Sequence, residues 1–216
     1  MNVVSASRLS QRFGSQLALG PLDLEVATGE RLAVLGDNGA GKTTLLRLIA
    51  TAARPSSGRL GLFGLDAGGQ RERLRGRLGY LGHQPGIYAE LSVRENLEFF
   101  AVLQGVSGDR VAEAIDECEL GPVARAGAGT LSRGLQQRLA LARSVLHHPE
   151  LLILDEPDAS LDASGRALLG RLFAGRTVIM STHDRSLARG LCSSVLLLRA
   201  GRPAGDPWAL RVMDGH

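Results

Sequence analysis

The sequence is poor in cysteine, in aromatic residues and in long apolar runs. Its two cysteines, Cys118 and Cys192, lie far apart in no paired motif, which predicts free thiols in a reduced, cytosolic setting. No run approaches the roughly 18–20 apolar residues of a membrane span, and the N-terminus lacks a signal-peptide pattern. Any membrane association is therefore expected to come through a partner protein. Aromatic residues make up only 4% of the chain, so we expect a core of Leu, Val, Ile and Ala.

Lysine is almost absent as well. All of the 25 basic residues except Lys42 are arginine. Lysine is a compact point charge on a flexible stem, whereas arginine is a wide planar fork. A narrow pocket that needs an ammonium group would explain the exception. The net charge is +3, and no basic run is interleaved with aromatic residues, so nucleic acid is not predicted as a partner.

Strand-like and helix-like segments alternate along the 216 residues, which predicts an α/β fold with a mostly parallel sheet. Strands are predicted at 22–26, 31–35, 59–63, 78–81, 151–154, 177–181 and 195–198. Helices are predicted at 43–53, 70–75, 93–103, 109–119, 133–147, 163–174 and 186–191. The helix at 93–103 follows a capping-box sequence and is apolar nearly all round, so it is expected to be buried or covered. The mainly helical stretch of about 85–143 is expected to form its own lobe.

Residues 36–43 match the phosphate-binding loop pattern G-x-x-x-x-G-K-[ST], with a strand before them and a helix after them. The loop amides and the helix N-terminus are expected to hold a phosphate chain. Lys42 is expected to reach the outer phosphates, and the Thr43 hydroxyl to ligate Mg²⁺. A fortuitous glycine-rich turn is the alternative. The residues expected to bind ATP here are Gly36, Asp37, Asn38, Gly39, Ala40, Gly41, Lys42, Thr43 and Thr44.

Asp155, Glu156 and Pro157 follow the apolar run 151–154, which is typical of a parallel strand buried on both faces. The carboxyl end of such a strand is where α/β folds bind ligands. Asp155 is therefore expected to hold Mg²⁺, and Glu156 to orient and deprotonate an attacking water. Taken alone, the pair would more often lie in a surface loop, but the phosphate loop favours catalysis.

Leu131, Ser132, Arg133 and Gly134 open the long helix at 133–147. Ser132 is a natural N-cap, which by itself explains the residue. A serine and a glycine at a helix start also make an anion site, and the chain has only one phosphate loop. A second phosphate-binding helix end indicates a nucleotide shared with another copy of the chain.

The order of these motifs resembles that of ABC transporter ATPases over nearly the whole chain. The matching segments are 36–43, Gln84, 131–134, 151–157, 160–162 and 181–183. The resemblance implies a P-loop NTPase fold with a RecA-like parallel core, an N-terminal antiparallel β portion and a helical subdomain, all within a single domain, 1–216. It also implies ATP hydrolysis with Mg²⁺ at two sites shared in a homodimer, bound to an integral membrane permease subunit. The chain would then lie peripherally on the cytoplasmic face of the cell membrane.

The same resemblance implies roles for further residues. Ser132 and Gly134 would contact the partner's ATP, and Asp162 would cross the dimer interface. Gln84 would sense the γ-phosphate, contact Mg²⁺ and link to the membrane partner. His183 would contact the γ-phosphate and help to hold the catalytic water, and Phe13 would stack on adenine. Arg133 and Leu135 depart from the family's usual Leu-Ser-Gly-Gly-Gln, but the contacting serine and second glycine are kept.

A narrower resemblance concerns residues 79–97 and the Leu-Ser-Arg-Gly variant, which are similar to the haem-exporter ATPase of cytochrome c maturation. It implies ATP-driven work during haem delivery, without direct haem binding by this chain, since there is no Cys-x-x-Cys-His motif. A drug or lipid exporter ATPase is the main alternative. A P-loop nucleotide kinase and a non-transport ABC ATPase are weaker ones, because they lack the shared-site segment or carry further domains.

Overall fold

The computed structural model describes residues 1–205, which form two sheets flanked by helices. The strands are β1 (Asn2–Phe13), β2 (Gln16–Ala27), β3 (Arg31–Leu35), β4 (Ser57–Leu62), β5 (Leu65–Asp66), β6 (Leu78–Leu81), β7 (Leu151–Asp155), β8 (Thr177–Ser181), β9 (Ser194–Arg199) and β10 (Arg202–Pro203). The helices are α1 (Lys42–Ile49), α2 (Arg71–Arg75), α3 (Val93–Gln104), α4 (Gly108–Glu117), α5 (Arg133–Val145), α6 (Ala163–Phe173) and α7 (Arg185–Leu191). Residues 206–216 of the predicted single domain lie outside the described part.

The larger sheet has the strand order β10-β9-β3-β8-β7-β6, and its pairs are parallel except for β10 with β9. Every residue of β7 and β8 is buried, which fits their continuous apolar sequence. Because parallel strands end at the same edge, the segments after β3, β7 and β8 converge there. The predicted parallel α/β core is confirmed.

The smaller sheet has the order β2-β1-β4-β5 and is antiparallel throughout. The antiparallel N-terminal portion is thus confirmed, but the sequence analysis missed β1 and the first part of β2. Register shifts interrupt the pairing of β1 with both neighbours. A bulge changes which face the next residue occupies, so the period-two pattern that would reveal a strand is broken.

Three helices, α3, α4 and α5, lie between β6 and β7 and pack into one apolar cluster with part of the larger sheet. The predicted capping box of α3 is present, since Ser92 accepts from the Glu95 amide while Glu95 accepts from the Ser92 amide. Helix α1 ends at Ile49, earlier than predicted, because Thr51 adopts a left-handed conformation with φ of 55°. Among residues 1–205, no helix is long and apolar enough to cross a membrane.

Candidate functional site

The phosphate loop joins β3 to α1, and it turns at a glycine where a side chain would not fit. Gly41 is the N-cap of α1 with φ of 103°, and a Cβ there would lie 2.7 Å from the Ala18 carbonyl oxygen. Within residues 1–205, no side chain caps the first amides of α1. These amides are therefore available to an anion at the helix N-terminus, where the helix dipole also favours negative charge.

Lys42 is only 5% exposed, and its ammonium group lies inside the curve of this loop. Nζ donates hydrogen bonds to the carbonyl oxygens of Gly36 at 2.8 Å and Asp37 at 3.2 Å. The Glu156 carboxylate is 3.9 Å away. A planar guanidinium is wider than this ammonium, so the geometry accounts for a lysine at this one position.

Asp155 ends β7 and is 2% exposed. Ser181 at the end of β8 donates to its Oδ1 at 2.6 Å, but its Oδ2 is buried without a hydrogen-bond partner among the described residues. A buried carboxylate oxygen that lacks a partner requires an explanation, and a cation bound beside it would supply the missing interaction. The donor set of Asp155 and the Thr43 hydroxyl therefore fits Mg²⁺, a cation that prefers oxygen ligands.

Glu156 follows in a left-handed conformation, with φ of 50°. This conformation is uncommon for a residue other than glycine and is often found at functional sites. The Glu156 amide donates to Ser181 Oγ at 2.9 Å, so one buried serine holds the backbone of Glu156 and the side chain of Asp155. The sequence places Ser181 in the family-like segment 181–183, but no role was predicted for it, although a polar residue at the end of an apolar strand was the available signal.

His183 follows β8 and completes the cluster. Its Nε2 atom lies 3.3 Å from Lys42 Nζ and also contacts the Glu156 carboxylate. Buried Thr182 beside it donates to Asp158 Oδ2 at 3.0 Å and accepts from the Asp184 amide, which ties the segment after β8 to the one after β7. The structure therefore brings Lys42, Asp155, Glu156 and His183 together at the carboxyl edge of the sheet.

The segment at Ser132 lies against the chain that follows β7. Ser132 caps α5 by accepting from the Leu135 amide at 3.4 Å, and a Cβ on Gly134 would lie 3.0 Å from the Ser160 carbonyl oxygen. Gln137 Nε2 donates to the Pro157 carbonyl at 3.1 Å. No hydrogen bond or ion pair within residues 1–205 joins this segment to the phosphate loop, so the two segments expected to share a nucleotide are not linked directly within one chain.

Most of the remaining predicted site residues are exposed. Asp162 caps α6 by accepting from the Gly165 amide at 2.8 Å, yet its side chain remains 75% exposed. Gln84 is exposed in the loop between β6 and α3, and Phe13 is 61% exposed at the end of β1. Thr43 is exposed and Thr44 half-buried at the start of α1. Asn38 and Gly39 are exposed in the phosphate loop, whereas Ala40 is buried.

Comparison with known proteins gives a consistent result. Residues 19–159 match a family model described as ABC transporter. Daunorubicin resistance ATP-binding protein DrrA3 of Streptomyces coeruleorubidus is 36% identical over 208 residues, covering 92% of this chain and 66% of that protein. Nod factor export ATP-binding protein I of Rhizobium sp. strain N33 is 33% identical, covering 96% and 72%. ABC transporter ATP-binding protein NatA of Bacillus subtilis is 30% identical, covering 92% and 87%.

Solved structures agree with the sequence matches. The ATP-binding cassette MJ0796, a dimer in a post-hydrolysis state bound to ADP and Pi, superimposes with a TM-score of 0.86 at 25% identity over 94% of this chain and 97% of that one. An ATP-binding subunit of an ABC transporter superimposes with a TM-score of 0.85 at 28% identity, covering 94% and 88%. This chain spans about two thirds of the length of DrrA3.

Proposed function

The chain belongs to the ABC transporter family as an ATP-binding subunit, and we propose that it powers an exporter of a drug-like small molecule by hydrolysing ATP. The observation that carries the proposal is the convergence of Lys42, Asp155, Glu156 and His183 at one edge of the sheet. Relatives named for daunorubicin resistance, Nod factor export and bacitracin transport support the export of a small molecule.

Each residue of the cluster has a distinct task in the proposed hydrolysis. Lys42 and the first amides of α1 bind the outer phosphates, and Thr43 and Asp155 hold Mg²⁺. The metal ion supplies charge neutralisation on the phosphate oxygens. Glu156 accepts the proton of the attacking water, and His183 orients the Glu156 carboxylate. Catalysis is then mostly positioning and electrostatic stabilisation of an in-line displacement.

The second half of each site comes from another copy of the chain. Cassettes of this family act as dimers, and MJ0796 was solved as one. Ser132 and Gly134 are exposed or half-buried at the start of α5 and are unlinked to their own phosphate loop. We therefore propose that they close over the partner's ATP and that Asp162 lies at the dimer interface. We further propose that Gln84 senses the γ-phosphate of the ATP bound by its own phosphate loop and that Phe13 stacks on the adenine of that ATP.

An apolar surface on the helical segment supports docking to a membrane permease. We call it the α3 surface; it consists of Tyr88, Phe99, Val102 and Leu103, whose exposed fractions are 44%, 39%, 81% and 66%. The rings of Tyr88 and Phe99 pack edge to face with centroids 4.9 Å apart. The expected covering of α3 is thus absent within residues 1–205, and an exposed cluster of apolar side chains marks an interaction site. ABC cassettes pair with permeases, which makes the permease its proposed occupant.

Haem export is the second candidate. The Leu-Ser-Arg-Gly segment and residues 79–97 favour it, but the names of the relatives given above do not mention haem. With the permease reconstituted alongside this chain, daunorubicin-like compounds should stimulate ATP hydrolysis and haem should not. Stimulation by haem alone would reverse the order of the two candidates.

The binding and hydrolysis of ATP are tested with the purified chain. MgATP at about 100 times its Kd should stabilise the parent by about 2.7 kcal/mol in thermal or urea unfolding. Lys42→Ala should lose this stabilisation, because the buried ammonium group is removed from the loop. An Arg47→Ala control changes an exposed basic residue of the same helix and should keep it. If the parent neither binds nor hydrolyses MgATP, alone or with its permease, the proposal fails.

A further inference from the structure

Arg143 in the last turn of α5 contacts three other parts of the fold. Its Nη1 donates to the Gly86 carbonyl at 3.2 Å, and its Nη2 lies within 3.4 Å of the Tyr80 carbonyl. Its guanidinium carbon lies 5.0 Å from the centroid of the Phe100 ring. One side chain therefore joins α5 to the end of β6, to the following loop and to α3.

The loop in question is the Gln84 loop, residues 82–91 between β6 and α3. It is held at several points, among them the carbonyl oxygens of Ala89 and Leu91, which accept from the Gly129 and Ala128 amides at 3.0 and 2.8 Å. Downstream, Asn96 is 1% exposed and exchanges hydrogen bonds with the backbone of Tyr88 at 2.7 and 2.9 Å. Upstream, the hydrogen bond from Arg143 reaches Gly86, two residues from Gln84. Along the chain, Arg143 is therefore the nearest of these anchors to the residue proposed to sense the γ-phosphate.

The loop is shaped to receive this guanidinium. Gly86 has φ of 60°, a conformation that residues other than glycine seldom adopt. A Cβ at this position would lie 2.9 Å from Arg143 Nη1. Glycine at 86 thus serves both the left-handed turn and the close approach of the arginine.

Arg143 differs in its partners from Arg110 and Arg138, two arginines of the helical segment that pair with carboxylates. These two side chains are 4% and 12% exposed. Arg143 has no carboxylate partner within residues 1–205, and burial lowers its pKa from the ordinary value. Its buried Nε atom has no acceptor in the described part of the chain. The Arg143 side chain lines a cleft of about 170 Å³ together with Tyr80, Phe100 and His147. Burying a charge without a counter-charge is unfavourable. Because Arg143 has no such counter-charge, an ion pair does not explain its position, and its two carbonyl contacts are the polar interactions that hold it.

We propose that Arg143 is a positioning residue that sets the place of Gln84 relative to the bound nucleotide. This inference rests on the proposed function. Its two carbonyl contacts use the planar fork that lysine lacks. Helix α5 carries Ser132 at its start and Arg143 at its end, so closure of α5 over the partner's ATP moves the anchor of the Gln84 loop with it.

The test compares Arg143→Lys and Arg143→Gln with a control, Arg189→Gln, which changes an exposed arginine of α7. We measure kcat, KM, MgATP binding and hydrogen exchange of the amides at 84–91. Both Arg143 variants should lower kcat by about tenfold or more, since a misplacement of 1 Å can cost about 100-fold. MgATP affinity should stay within about twofold, because the phosphate loop is untouched. Exchange in the Gln84 loop should quicken while exchange in α5 stays protected.

Gly86→Ala tests the same contact from the loop and also serves if an Arg143 variant fails to fold. It should lower kcat and quicken loop exchange, and the double variant with Arg143→Gln should be little worse than either single variant. Additive losses, or loop exchange equal to that of the parent, would overturn the inference. The exchange measurement decides even if the parent lacks ATPase activity. If the parent hydrolyses ATP and every variant turns over at the parent rate, this inference is rejected and the proposed function stays intact.

Discussion

His183 Nε2 lies 2.7 Å from Glu156 Oε1. A carboxylate only accepts hydrogen bonds, so Nε2 is the donor in this contact and is not also an acceptor for Lys42. Glu156 Oε2 has no hydrogen-bond partner within residues 1–205. The pair thus fixes one carboxylate oxygen and leaves the other for a water molecule, which is the arrangement that a general base needs.

Glu156→Gln should therefore bind MgATP like the parent while kcat falls by about 100-fold or more, the range that general-base catalysis contributes. The amide keeps the size of the side chain but does not accept a proton, so the ATP-bound closed dimer should accumulate. Turnover and sedimentation with MgATP measure the two effects. Glu72→Gln makes the same chemical change at an exposed position of α2 and should leave turnover and dimer formation unchanged. Hydrolysis by Glu156→Gln at the parent rate would remove Glu156 from its assigned role.

Ser132 and Ser92 offer a matched pair, because each caps a helix by accepting from the third helical amide. Replacing either with alanine should lower the free energy of unfolding by about 1 kcal/mol. Only Ser132→Ala should also lower ATPase activity and ATP-dependent dimer formation. Equal activity losses in the two variants, measured at matched folded fractions, would show that Ser132 acts through helix stability alone.

The α3 surface is tested with the double variant Val102→Ser, Leu103→Ser. Both side chains are mostly exposed, so we expect the free energy of unfolding to change by no more than about 0.5 kcal/mol per site. ATP binding should be unchanged, whereas retention on vesicles that carry the permease should be lost. The pair Arg94→Ser, Glu98→Ser on the same helix is the control. Full retention by the Val102/Leu103 variant would exclude this surface as the docking site.

His147 predicts a pH dependence of stability. Burial lowers its pKa below 6.5, and Nε2 bonds to the Leu78 carbonyl at 3.0 Å. The unfolded chain then takes up a proton first, so the free energy of unfolding falls as pH drops below 6.5 until the folded-state pKa is reached. His147→Gln keeps a donor near Nε2 and should flatten this slope in urea unfolding between pH 7.5 and 5.5. Exposed His148→Gln should retain most of the slope, because burial outweighs the charge of His148 in lowering the His147 pKa. An unchanged slope in His147→Gln would contradict the assignment.

Much of the fold follows from local patterns. The sequence predicts three strands, 31–35, 78–81 and 177–181, with the bounds that the structure shows. Each is a short apolar segment bounded by turns, so its pattern is complete within a few residues. Strand β1 was not predicted, because its bulged pairing with β2 and β4 leaves no regular alternation of apolar and polar residues.

The sequence by itself determined the phosphate loop, the caps at Ser92 and Ser132, and the carboxylates after β7, because glycine turns, caps and apolar runs are built from neighbouring residues. Only the tertiary structure decided that Ser181 bridges Asp155 and Glu156 and that Arg143 holds Gly86. The same holds for the exposed face of α3. The contacts of Ser181 and Arg143 join positions far apart in the chain, and all three features depend on strand order and helix packing that no local pattern encodes.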